Sequence, residues 1–164
     1  MDLLIVMHFF VVFLSYRLQY NDDVMEITNE WIDDGNFDIE KPVKILIHGW
    51  NADAEHMAMQ PVKIAYLRKN STNVLVVDWK DIAVLRYIVA RSLIVAIAEH
   101  IFRKLFRLMG ETKMKPDQIH IIGHSLGAHI SGQIGRCFHG EIGRCYMINF
   151  EKSIGSTFII VLYF

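Results

Sequence analysis

The stretch IHIIGHSLGAHI, residues 119–130, constrains this chain more than any other. A short run of apolar, largely β-branched residues reads as a buried strand, and the segment after Gly127 reads as a helix. Only one tight turn separates them. Such a turn forces the backbone of Ser125 into a conformation that side-chain-bearing residues avoid, and it brings Gly123 and Gly127 so close to neighbouring chain that a Cβ would not fit. The pattern Gly123-His124-Ser125-Leu126-Gly127 is therefore G-x-S-x-G in the context its chemistry needs: strand, sharp turn, helix, with the serine hydroxyl projecting above the sheet edge. The helix behind it aims backbone N–H groups and a partial positive charge at developing negative charge. Ser125 is the candidate nucleophile.

The rest of the chain supplies a matching frame. KPVKILIHGW reads as a strand ending in a His-Gly turn, and STNVLVVDW reads as a second strand bounded by turn residues. Between them, Glu55 to Asn70 is helical in tone and interrupted by Pro61. Asp81 to Met109 places apolar residues mostly three or four apart, which predicts one long amphipathic helix ended by Gly110. Lys115-Pro116-Asp117 then turns the chain into the strand before Ser125. The polar, acidic stretch Asn21 to Glu40 reads as a loop. Strands that are continuously apolar rather than alternating, and that are separated by helices, predict a mostly parallel sheet covered on both faces, an α/β architecture.

With 164 residues, 52% of them hydrophobic, 21% charged and a net charge of -1, one globular domain without an electrostatic footprint for nucleic acid is expected. The apolar run Leu3 to Leu14 has the length of a signal-peptide core and falls short of a membrane span, so residues 1–20 read either as a leader or as an N-terminal strand. Arg91, Glu99, Arg103, Lys104 and Arg107 exclude the long helix as a transmembrane anchor. Residues 21–149 form the main domain, and 150–164 are a hydrophobic tail. Cys137 and Cys145 match no metal-ligand spacing, and both a local disulfide and two free thiols are open.

An acyl-transfer site needs two N–H donors for the tetrahedral oxyanion, one from the residue after the nucleophile and one from an upstream strand-to-helix loop. Leu126 supplies the first, and Trp50, in Ile47-His48-Gly49-Trp50, is the candidate for the second. A general base is harder to place. His124 should point away from the serine, and His129 lies along the following helix. His48 and His120 read as packing residues, and His56, His100 and His139 as surface residues.

Taken together, KILIHGW, NVLVVDW, IHIIGHSLGAH and IGR resemble the pancreatic-lipase family of secreted neutral lipases, particularly its insect lipase-like members and the venom phospholipases. The likeness covers roughly Ile39 to Arg144 and includes Tyr66-Leu67 and the Tyr87 to Ala90 segment. It implies an α/β-hydrolase fold, of which this chain holds the N-terminal part, and hydrolysis of lipid carboxylic esters without a cofactor. Secretion is implied too, with a lipid ester or lipid interface as the partner. Ser125 matches the family's nucleophile, and Trp50 and Leu126 match its oxyanion-hole positions. The family's order is serine, acid, histidine, and Asn149 stands at the acid position. In serine proteases the equivalent Asp→Asn exchange costs about 10⁴-fold. The family histidine lies far downstream, whereas this sequence ends at Phe164, so a truncated or decayed copy, inactive alone, is expected. The alternative implied by the family's yolk proteins is a non-catalytic lipid-binding relative.

Overall fold

The structure is a computed structural model that describes residues 12–16, 25–26 and 37–148. Asn149 and the tail 150–164 lie outside the described residues, as do residues 1–11 of the N-terminal apolar run. In chain order the elements are β1 (Val12–Tyr16), β2 (Met25–Glu26), β3 (Val43–Ile47), α1 (Gln60–Lys69) and β4 (Asn73–Asp78). Then come α2 (Lys80–Ala83), α3 (Tyr87–Ser92), α4 (Ile94–Thr112), β5 (Ile119–His124), α5 (Leu126–Cys137) and β6 (Arg144–Ile148).

The described strands form one sheet in the order β2-β1-β4-β3-β5-β6. Strands β4, β3, β5 and β6 are mutually parallel, and β1 runs antiparallel to both β4 and β2. Because successive side chains on a strand face opposite ways, each apolar run divides between two cores. Val43, Ile45, Ile47, Leu75, Val77, Ile119 and Ile121 join the buried stripe of α4 and α5 on one face. Leu46, Val74, Val76 and Ile122 pack on the other, against Val62, Tyr66 and Leu67 of α1. That two-sided demand is why the strands carry no polar alternation. The result is an α/β-hydrolase-like fold, a mostly parallel sheet flanked by helices on both faces.

Several local expectations are corrected. The single helix over Asp81 to Met109 is three helices. The chain leaves α2 through Val84 and Leu85, Arg86 is extended (φ -51, ψ 136), and α4 begins only after a further bend at Leu93. Gly110 does not end the last of these; α4 runs to Thr112 and is closed by Lys113 in the left-handed region at φ 57. Pro61 starts α1 rather than interrupting it, because a first-turn residue needs no N–H acceptor within the helix. His100 is buried, not a surface residue, since it falls on the stripe of Ile94, Ile97, Ile101, Leu105 and Leu108 that faces the core. The loop expected over Asn21 to Glu40 also contains the short strand β2.

Strand β3 is followed in sequence by β4 on one side, while β5 lies on its other side. At such a switch point the loops leaving the carboxyl ends of neighbouring strands diverge and leave a crevice. The loops after β3 and β5 are those that carry Trp50 and Ser125.

Candidate active site

Ser125 sits between β5 and α5 at φ 53 and ψ -118, exposed to solvent. The turn around it is closed from three sides. A Cβ on Gly123 would come within 3.0 Å of Gly127 O and Ser131 Oγ, and one on Gly127 would come equally close to the carbonyls of Ile47 and His48. Buried Ser131 donates to Gly127 O at 2.8 Å, and Ser125 N–H donates to Ile148 O at 3.3 Å. The elbow is thus locked onto β3 on one side and the end of β6 on the other. Its conformation is imposed by packing.

The loop after β3 is fixed just as firmly. His48 is fully buried, its ring stacked on Trp79 with centroids 5.3 Å apart and planes 11° apart. Trp79 Nε1–H donates to His48 O at 3.0 Å, and Trp79 N lies 3.1 Å from His48 Nε2. His48 Nδ1–H then donates to Gly49 O at 3.0 Å. Asp78 Oδ1 lies 3.0 Å from His48 Nε2. Burial pushes the Asp78 carboxyl up, but the hydrogen bond and charge of His48, with the backbone N–H and ammonium of Lys80, hold it below the usual carboxylate range. His48 is a structural clamp under the loop, as expected of a packing histidine.

Above the clamp, Trp50 is 43% exposed, and its Nε1–H donates to Leu85 O at 2.8 Å while its ring meets the Tyr87 ring edge-on at 5.6 Å. Asn51 N–H donates to Ala83 O at 3.0 Å. Ala83 ends α2 and Leu85 lies in the turn that follows it, so both carbonyls are offered at the break before α3. The break in the expected long helix therefore has a use: it supplies the acceptors that anchor the Trp50 loop. A Cβ on Gly49 would lie 3.0 Å from both Ser125 Cβ and His124 O, so the two loops touch. Leu126 opens α5, and its N–H has no acceptor within the helix.

The structure brings together Ser125, Leu126, Trp50, Gly123 and Gly127; Asn149, at the expected acid position, lies outside the described residues. No imidazole of the described residues is hydrogen-bonded to Ser125. His124 stacks on His56, with centroids 6.1 Å apart. Burial, and then the positive potential of His56 and His48, lowers its pKa. His56 is half-buried beside the elbow rather than an ordinary surface residue, and nothing in its sequence surroundings signals that placement. Cys137 and Cys145 are both free thiols, and burial pushes Cys145 up to about 11, which leaves it inert. Among the described residues no group of three or more His, Cys, Asp or Glu is arranged to hold a metal ion. No helix among them is long and apolar enough to cross a membrane.

The sequence model of the family described as Lipase matches residues 8–149. Pancreatic triacylglycerol lipase of Myocastor coypus is 30% identical over 116 residues, which is 71% of this chain and 25% of that protein. Inactive pancreatic lipase-related protein 1 of Homo sapiens is 27% identical over 104 residues, 63% of this chain and 22% of that protein. Among solved structures, Est1E from Butyrivibrio proteoclasticus superposes with a TM-score of 0.49 at 16% identity, covering 68% of this chain and 41% of that one. The chain spans about a quarter of the length of the curated relatives it matches.

Proposed function

From the fact that the chain belongs to the lipase family, we propose that it carries the nucleophile-bearing part of an extracellular carboxylic ester hydrolase acting on lipids. In this reading Ser125 Oγ attacks the acyl carbonyl while a histidine that the described residues do not supply takes its proton, and the N–H groups of Leu126 and Trp50 receive the oxyanion. Collapse of the tetrahedral intermediate returns that proton to the departing alcohol and leaves an acyl-serine for water to hydrolyse. No cofactor takes part. The observation that carries the reading is the backbone of Ser125 at φ 53, held in a turn whose glycines touch β3. Loss of one oxyanion donor lowers the rate about 100- to 1000-fold.

The surface beside the serine supports a lipid as substrate. Trp50, Leu85, Tyr87 and Ile88 are all exposed, with Ile88 at 75%. A contiguous apolar rim of this kind fits acyl chains or a lipid interface. We further infer that the chain falls in the insect lipase-like and venom phospholipase branch, on the segments KILIHGW, NVLVVDW and GHSLGAH. Triacylglycerol and the sn-1 ester of a phospholipid are both compatible substrates.

Among the described residues no base is hydrogen-bonded to Ser125, and Asn149 at the acid position cannot stabilise an imidazolium. On these two features we propose that the described part of the fold does not activate Ser125 by itself. The second reading, a non-catalytic lipid-binding relative, is favoured by the same two features, and one matched relative is itself named inactive. Chemical rescue separates the two. The expected result is that a fluorophosphonate ester labels the folded chain no faster than Ser125→Ala, and that added imidazole accelerates labelling only when Ser125 is present. Absence of any imidazole-dependent, Ser125-specific labelling would overturn the ester-hydrolase reading and leave the lipid-binding one.

A further inference from the structure

Away from the serine, Lys44, His120 and Arg144 occupy one rung across β3, β5 and β6. Lys44 is in register with His120, and His120 with Arg144. Register partners on adjacent strands share a face, so three basic side chains stand side by side at the strand spacing of about 4.8 Å. They lie on the face covered by α1, near the amino-terminal ends of the strands, whereas Ser125 follows the carboxyl end of β5. The rung and the serine are separate sites.

The rung is chemically unusual. Lys44 is only 7% exposed, its Nζ touches His120 Nδ1, and it lies 5.5 Å from the centre of the Tyr66 ring. A buried ammonium ordinarily sits against a carboxylate, because desolvation is otherwise uncompensated. Here no carboxylate among the described residues pairs with Lys44 or His120; the charges acting on them are basic. Burial, then Arg144 and Lys69, pushes the Lys44 amine down to about 8, and burial, then Lys44 and Arg144, pushes His120 down to about 4. At the rim Arg144 Nη1–H donates to Tyr146 OH at 3.1 Å. Burial and the neighbouring Tyr146 hold the Tyr66 phenol in its protonated, hydrogen-donating form, against the opposing pull of Arg144.

We propose that the Lys44–His120–Arg144 rung, with the phenols of Tyr66 and Tyr146, is a binding site for an oxyanion of the phosphate type. The cluster is a set of donors drawn from three strands and a helix, which suits a non-planar anion with several acceptor oxygens. A bound phosphate group supplies the counter-charge that the Lys44 ammonium lacks, and both a free phosphate and a phosphate ester present that chemistry. Binding raises the proton affinity of both groups, so affinity falls as pH rises past the Lys44 titration near 8.

The test follows the His120 imidazole by NMR in the full 164-residue chain, titrated with inorganic phosphate against chloride at equal ionic strength. Saturable binding that moves the His120 titration upward from about 4 is expected. Lys44→Met, which matches the side chain's volume without its charge, is expected to abolish binding, and Arg144→Gln, at the exposed rim, to weaken it about tenfold. A parallel titration with glycerol 3-phosphate distinguishes the sources: tighter binding assigns the site to a phosphate ester, and equal binding to the oxyanion alone. Phosphate and chloride giving the same His120 titration would overturn the proposal, as would undiminished affinity in Lys44→Met. Should that variant not fold, undiminished affinity in Arg144→Gln has the same force.

Discussion

Ser125 holds φ 53 and ψ -118, a backbone that L-residues rarely adopt and that persists because Gly123, Gly127 and Gly49 leave no room for relaxation. Glycine takes this conformation without steric penalty. Ser125→Gly is therefore expected to be more stable than Ser125→Ala by about 1–2 kcal/mol, measured by urea unfolding. Equal stabilities would mean that the turn is not strained at this residue. At this scale much is legible in the sequence: G-x-S-x-G between a strand and a helix demands small residues at its ends, and contacts of Gly123 and Gly127 with backbone carbonyls are the reason. The histidines are less legible. His48 is assignable to packing because it ends a buried strand, but burial of His100 and the stacking of His56 on His124 depend on neighbours distant in sequence.

The helical stretch after β4 exposes the difference between a pattern and an element. Spacing by three and four persists from Ile82 to Leu108, yet bends at Arg86 and Leu93 divide it into α2, α3 and α4. Ile94, Ile97, Ile101, Leu105 and Leu108 of that run are buried, whereas Leu85, Ile88 and Val89 are exposed, so periodicity alone reports neither continuity nor burial. What selects the first bend is tertiary, because the end of α2 and the turn after it must offer Ala83 O to Asn51 and Leu85 O to Trp50. Within α4 the stripe itself is predictable. Ile101 is fully buried against the sheet, so Ile101→Ala is expected to destabilise the chain by about 2–5 kcal/mol. Val95→Ala on the solvent face of the same helix is expected to stay within about 0.5 kcal/mol. Thermal or urea unfolding of the pair checks whether α4 owes its stability to that one face.

At the scale of the whole fold, among the described residues the turn and helix that anchor Trp50 carry a run of exposed apolar side chains, with Val84 62% and Ile88 75% exposed. If that rim receives lipid, Ile88→Asp is expected to reduce binding to neutral phospholipid vesicles several-fold while leaving the unfolding midpoint unchanged, as an exposed substitution should. Unchanged vesicle binding would remove this surface from the lipid-contacting side. The sequence by itself determined the α/β class, the strand-turn-helix around Ser125 and the lipase resemblance. Each of these rests on local constraints: two-sided burial of short strands, a turn that excludes Cβ atoms, and residues contiguous in the chain. Only the tertiary structure decided that the Trp50 loop touches the elbow and that a broken helix anchors it. It alone set Lys44, His120 and Arg144 in one rung. Strand order and register bring together residues scores of positions apart, and no local pattern encodes which strands become neighbours.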